Sequence, residues 1–545
     1  MSIKPIITWC INSTFNKTVV LLMTLVSFLL AVYLLPLEIV KAKMLPGKDS
    51  NTFTIYVDLK SGSSIFQTKK VTDKIVRILQ KEEEILDIEV FLGTPSALDF
   101  AGLVKGSALK SGENFAEIVV NILKKHDRTE PSYLMVQRLR PLLNSAVSKI
   151  NKEVVIKMVE PPAGPPVMAD IVAEVYGTNF ESMQRLAHRV QKVLSETKGL
   201  VDTDLLNDET FERYTLVLNY DKIKRLGLET QAVSSLIETA FNGQVITTKN
   251  MKNSSTQVDV FMRLKQRSMN LNSALASLKI KSSNNKLISL SEIVNVKKVL
   301  NDKTRYSKNL QDVIHVVATT DMVSQIYPLL DARTHFLEAF SNEYEVKTSN
   351  LLNLEFIEKS SGEKLKLVWD GELKVTLDTF RDLGGAFIAA LVLIFLLMVL
   401  YYKNFALSGI VLLASFLSII GVIFGHLIMD LFTQTTFFLT ATSLIGFIAL
   451  IGISSRNSLL LIDFTKQLMS EGKDKKEAII EAATIRSKPI FLTAMAIILA
   501  STLLASDAVF GGLGVSLIFG TISAVIASLF VVPVLLDNLA EQKLC

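Results

Sequence analysis

The sequence predicts a membrane α-helical bundle of six transmembrane helices joined to an α/β extracytoplasmic domain of ferredoxin-like βαβ sandwiches with an inserted module. Three patterns predict it. Six long apolar segments occur, one near the start and five in the last third of the chain. Lys and Arg gather in alternate short loops only. Between the first two apolar segments, ordinary globular sequence runs from Pro46 to Asp382 with strand and helix periods in the order β-α-β-β-α-β.

A membrane helix needs about 20 apolar residues to cross roughly 30 Å of hydrocarbon. The segments that meet this are Thr18–Leu37, Leu383–Tyr402, Ala406–Met429, Phe437–Phe464, Pro489–Ser506 and Leu513–Leu536. The first is read as a retained anchor, because its apolar run is long and no small-residue cleavage site follows. Lys403 lies between spans two and three, and Lys466, Lys473, Lys475, Lys476, Arg486 and Lys488 lie between spans four and five. The loops Asp430–Thr436 and Asp507–Gly512 hold no Lys or Arg. The positive-inside rule therefore places both termini in the cytoplasm and the Pro46–Asp382 domain outside. Cys10 and Cys545 then both face a reducing compartment, so no structural disulfide is expected. A net charge of +5 on 545 residues argues against a nucleic-acid binder.

The boundaries follow from the pattern. Residues 1–17 and 537–545 are cytoplasmic tails, 18–37 the first span, and 383–536 spans two to six. Residues 38–166 form the first sandwich: strand Thr52–Asp58, helix Ile65–Lys81, strands Ile88–Leu92 and Phe115–Leu123, helix Leu134–Ile150 (Leu139, Leu142, Leu143 and Val147 in phase) and strand Val154–Val159. The linker Glu160–Pro166 breaks both helix and strand. A second unit starts with strand Ile171–Tyr176, helix Phe180–Thr197 and strand Val201–Leu206. It occupies 167–210 and resumes over 309–382, with its closing half near Val313–Thr319 and Ile326–Phe340. The insertion, 211–308, has its own helix Thr230–Asn242 and strands Gln257–Arg263 and Leu287–Ser289.

Catalytic motifs are absent. Lys48 in PGKD precedes a strand and lacks the Walker spacing. His126, His188, His315, His335 and His426 are scattered and read as surface or satisfied core residues. Met251, Met262 and Met269 read as ordinary packing rather than a soft-metal site. No metal, no cofactor and no enzyme activity are expected. The chemical signal is Arg456 in GISSRNSL of the fourth span. It lies ten residues before Lys466, or ~15 Å of helix. Left unpaired in lipid, such a charge costs at least ~2.5–3.5 kcal/mol. Its partner is either Asp463, seven residues on, or an acid on another chain. Thr493, inside the fifth span, can donate and accept, although a lone Thr more often bonds its own backbone. Gly446, Gly452, Gly511, Gly512, Gly514 and Gly520 permit close helix contact.

Taken jointly, VWDGE (368–372) leading through Phe380-Arg381-Asp382, TATSLIGFIALIGISSRNSLLLIDF in the fourth span, RSKPIFLT (486–493) and VVPV (531–534) resemble the resistance-nodulation-division (RND) efflux transporters. Those chains have twelve spans in two similar halves, and this sequence resembles the C-terminal half throughout. The resemblance implies that the sandwiches are porter subdomains and that the insertion is a docking module meeting an outer-membrane channel. It implies that the loop Gly93–Gly112, with Gly93, Phe100, Gly102 and Gly106, lies on the substrate path. It places Arg456 at the family's basic relay position, with Thr493 and Arg486 as its hydroxyl and cytoplasmic-side arginine; Asn457 and Asp463 join them in the proton relay. The acidic pair that the family carries in its N-terminal half has no counterpart here.

The resulting expectation is one half of a split, proton-driven pump in the bacterial inner membrane. Its domain would stand in the periplasm, and no cofactor beyond the proton gradient would be needed. It would export drugs or other toxic small molecules. Its partners would be a separate N-terminal-half chain bearing an intramembrane Asp pair, a periplasmic adaptor protein and an outer-membrane channel, in a trimeric assembly. The alternative is a non-transporting scaffold or accessory half-pump that binds partners through its periplasmic domain.

Overall fold

A computed structural model describes residues 3–539 apart from 48, 98–99, 106, 108–109, 162–163, 165, 207–209, 253, 256, 266–270, 302–303, 351, 434–435 and 508. The first sandwich is an antiparallel sheet in the order Ile85–Leu92, Phe115–Ile122, Thr52–Asp58, Val155–Val159. Phe53, Ile55 and Val57 alternate into its core, as period-2 patterning requires of a strand with one wet face. Helix Ile65–Leu79 covers them with Val71, Ile75 and Leu79, and helix Ser132–Ser148 with Met135, Leu139, Leu143 and Val147. Leu142, expected on that face, stands 48% exposed, because the buried stripe follows steps of four from Met135.

The second sandwich repeats this order: Leu200–Leu206, Gln311–Thr320, Ile171–Tyr176, Lys364–Asp370. Its closing strand is Lys364–Asp370, part of which the sequence reading took as lead-in to the second span. A hairpin, Tyr344–Thr348 with Leu354–Glu358, separates it from helix Ile326–Phe340 and extends the sheet. The core holds Phe336, Phe340, Phe356 and Trp369 in ring contact. The two sandwiches keep separate apolar cores.

Residues Asp208–Thr304 form a compact unit of their own. Glu212–Leu218 pairs with Val294–Leu300, and Ile223, Val233, Leu275, Leu290 and Ile293 fill its interior. Strand Tyr306–Lys308, placed in the insertion by the sequence reading, instead pairs with Gln311–Thr320 in the second sandwich.

Among the described residues six helices are long and apolar enough to cross a membrane: Thr14–Tyr33, Glu372–Tyr402, Phe405–Phe432, Ala441–Ser470, Lys475–Ala505 and Gly511–Asn538. The second and fifth begin well before the apolar runs that marked them. Pro489 does not start the fifth helix but lies inside it; it forfeits one backbone bond that the flanking turns survive. A π-turn over Ala527–Val531 precedes Pro533, whose ring nitrogen cannot donate to the turn before it. A short helix not foreseen, Lys4–Asn12, buries Ile7, Cys10 and Ile11 against the bundle.

Glycine sets the closest contacts. A Cβ at Gly421 would lie 2.1 Å from the Phe519 carbonyl oxygen, and one at Gly425 would lie 2.6 Å from Phe519 Cβ. Spans three and six thus pack backbone to backbone. Gly452, also expected at a helix contact, has nothing within 4 Å of its would-be Cβ.

Candidate functional site

The fourth-span helix is capped by Thr440, whose hydroxyl accepts from Ser443 N. Its polar residues divide between two faces. Ser454, Asn457 and Ser458 are buried. Ser454 Oγ donates to the Ala414 carbonyl at 3.2 Å, and Ser458 meets Ser528 at 3.5 Å. Arg456 is on the other face. Ile445, Ala449, Gly452, Arg456 and Leu460 are all exposed, and their steps of three and four make one continuous stripe along the helix. Among the described residues no ion pair or hydrogen bond reaches Arg456.

Asp463 does not pair with it. Its carboxylate accepts from Tyr402 Oη at 2.9 Å and Tyr401 Oη at 3.1 Å. Both hydroxyls come from the end of the second-span helix, a partnership that no sequence spacing announced. Arg486 lays its guanidinium over the Phe464 ring, 4.7 Å from the centroid, while its Nε is buried without a hydrogen-bond partner. Thr493 is exposed, and its hydroxyl donates to the Ile490 carbonyl at 3.0 Å. The relay residues named from sequence therefore do not close into one bonded cluster in this chain.

One further polar partnership escaped the sequence reading. Asp537, assigned there to the cytoplasmic tail, is buried at the end of the last helix and ion-paired with Lys17 of the first span. Two apolar segments ending beside opposite charges were the available signal. His426 is fully buried. Its Nδ1 lies 2.8 Å from the Val422 carbonyl, which can only accept, so Nδ1 carries the proton. Nε2 then accepts from Ser443 Oγ at 2.8 Å. This is the satisfied core histidine that the scattered pattern suggested.

Outside the bundle, the loop after strand Ile85–Leu92 folds onto the open face of the first sheet. Gly93 takes φ +72° and its N–H donates to the Phe115 carbonyl. Ser96 donates to the buried Glu117 from both N (2.9 Å) and Oγ (2.6 Å). Gly102 lies in helix Phe100–Lys105, Ser107 Oγ donates to Tyr56 Oη at 3.2 Å, and Lys110 pairs with Asp58. Gly106 and the Phe100 side chain fall outside the described residues.

Asp58 also takes Lys157 at 3.2 Å, and Lys157 reaches Asp204 of the second sandwich. Burial alone would raise the Asp58 carboxyl; Lys157 and Lys110 outweigh it and hold it below the usual range. Arg140–Asp202 and Gln137–Asp321 complete a seam between the sandwiches that consists of polar pairs.

Twin ferredoxin-like sandwiches with an inserted unit, set between the first and second of six membrane-length helices, give the chain the architecture of an RND-type permease. The sequence profile of the AcrB/AcrD/AcrF family matches residues 4–539, and the chain belongs to that family. The swarming motility protein SwrC of Bacillus subtilis (strain 168) is 22% identical over 99% of this chain and 47% of its own length. The toluene efflux pump membrane transporter TtgB of Pseudomonas putida is 30% identical over 28% of this chain and 14% of its own length. The crystal structure of a heavy metal efflux pump superposes with a TM-score of 0.70 at 19% identity, covering 96% of this chain and 50% of that one. The chain thus spans about half the length of SwrC and of that pump.

Proposed function

We propose that this chain is the C-terminal half of a proton-driven RND-type efflux pump, and that it works with an N-terminal half bearing an intramembrane carboxylate pair. The observation that carries this is Arg456: a mid-span guanidinium that, among the described residues, no ion pair or hydrogen bond reaches, on an exposed stripe of the fourth-span helix. Facing lipid it costs at least ~2.5–3.5 kcal/mol; facing carboxylates it is stabilised. Ala449 and Gly452 beside it leave room for a close neighbour. Protonation of the partner acids weakens the pairing, and the freed cation shifts the packing of the fourth span.

In this reading both termini are cytoplasmic, the sandwiches stand in the periplasm of the inner membrane, and the proton gradient replaces any cofactor. Adaptor, outer-membrane channel and trimer formation follow the family's pattern. The exported solutes are toxic small molecules; relatives named for toluene and for heavy metals mark the breadth of that class.

The test has two arms. Arg456→Ala should abolish export while leaving the amount of protein in the membrane unchanged, and Arg456→Lys should retain part of it. Purification from native membranes should recover a second six-span bundle with intramembrane acids, on a separate chain or on the same polypeptide. Full export by assemblies of this chain alone refutes the reading; a complex that forms without transporting anything favours a scaffold.

A further inference from the structure

The fourth-span helix is held at its N-terminal end by the segment that leaves the first span. Leu439 N donates to the Lys41 carbonyl at 2.8 Å, Lys43 N to the Leu439 carbonyl at 3.1 Å, and Ala441 N to the Met44 carbonyl at 3.0 Å. Ala42 and Leu439 thereby pair as in a parallel ladder. Thr440 lies inside this ladder and caps the helix. The rungs therefore sit on the same rigid piece as Arg456, which lies about 22 Å further along the helix from Ala441. Val40 is buried in one apolar cluster with Leu439, Phe447 and Leu450. No glycine or proline interrupts the run from Lys41 to Leu45.

The same segment reaches the second sandwich. The residues on both sides of Ala42 spend backbone groups on Leu439, while Ala42 directs its own N–H to Tyr327 Oη at 3.3 Å. Tyr327 is in the first turn of helix Ile326–Phe340, and Leu329 of that turn is buried in the second sandwich's core. The contacts to span four and to the sandwich thus fall on neighbouring residues, whose Cα atoms are about 3.8 Å apart. No slack chain lies between them to absorb a displacement. The covalent route is far longer, since from Ala441 back to Asp370 the chain passes through spans three and two.

We propose that Lys41–Met44 is a coupling strap that carries displacement of the fourth-span helix to the second sandwich, with Tyr327 as the positioning residue that receives it. The proposal rests on the Arg456 reading for what moves the helix, and adds where the movement goes. A shift of the helix at Arg456 takes Leu439 and Ala441 with it. The ladder draws Lys41–Met44 along, and the Ala42–Tyr327 bond passes the motion to the start of helix Ile326–Phe340. Coupling of this kind travels through hydrogen-bonded and packed elements that stay joined while they move.

The first arm of the experiment needs no transport. It uses the full chain in lipid nanodiscs, read by hydrogen exchange over 326–333 and 439–443. Lys43→Pro removes the donor to Leu439, and Tyr327→Phe removes the hydroxyl that accepts from Ala42. Each should speed exchange at the far contact as well as at its own, by about threefold or more. Lys43→Ala keeps the backbone donor and should leave 326–333 as in the native chain. Exchange that rises only beside each substitution overturns the proposal. The second arm uses the pump exporting in cells. Ala42→Cys with Leu439→Cys sets a disulfide across the ladder, where paired Cα atoms about 5 Å apart suit one. The oxidised pump should export at the native rate, because strap and helix move as one. Export that stops on oxidation and resumes on reduction overturns the proposal. Normal export by Arg456→Ala would sink the Arg456 reading and leave the nanodisc result intact, whereas failure of the nanodisc arm leaves the Arg456 test standing.

Discussion

Lys157 is the middle link of the charge chain across the sandwich seam, and its replacement by Met has a calculable cost. Its ammonium sits between Asp58 and Asp204, with side chains 15%, 14% and 20% exposed. Removing one partner of a fully buried pair costs about 3–5 kcal/mol, and an exposed pair contributes at most about 1 kcal/mol. This partly buried site falls between them, at about 2–3 kcal/mol, which corresponds to roughly 30- to 150-fold faster local opening. Hydrogen exchange by mass spectrometry on the full chain should show that increase in peptides covering 52–58, 155–159 and 200–206, and not in the membrane helices.

The pH dependence has a definite sign. Asp58 is held below its usual range, so its contribution is present above the unfolded value and is lost as the pH falls through the folded one. The gap between native chain and Lys157→Met should therefore narrow on acidification below about pH 4. A gap that is absent at neutral pH, or that widens in acid, refutes the reasoning.

Other expectations are simpler to read. Gly421→Ala drives a methyl into the Phe519 carbonyl and should lower bundle stability by about 1–3 kcal/mol, seen as a lower melting temperature in nanodiscs. Phe356→Ala empties a fully buried site ringed by Phe340 and Tyr344 and should cost about 3–5 kcal/mol, measured as increased exchange confined to the second sandwich. Tyr402→Phe removes the 2.9 Å hydroxyl from Asp463; a crosslink between Cys placed at the cytoplasmic ends of spans two and four should form less efficiently, and unchanged efficiency would remove that hydroxyl from the contact.

Much of the fold was legible because it rests on local periodicity. Strand Ile171–Tyr176 has the limits that its apolar pattern implied, since one face of it must leave water. Hydrophobic length alone marked six spans for the same reason. The closing strand Lys364–Asp370 was not legible as part of the sheet, because its partner lies nearly two hundred residues earlier in the chain and pairing at that separation leaves no short-range signal.

The candidate site divides the same way. An arginine ten residues inside a span is a statement about burial energy, and the sequence suffices to make it. Which acid meets Tyr401 and Tyr402, that Lys17 finds Asp537, and that Lys157 bridges Asp58 and Asp204 were decided only by tertiary packing. Coulombic and hydrogen-bond partners are fixed by distances of a few ångströms between elements far apart in sequence, whereas hydrophobicity is a property each segment carries by itself.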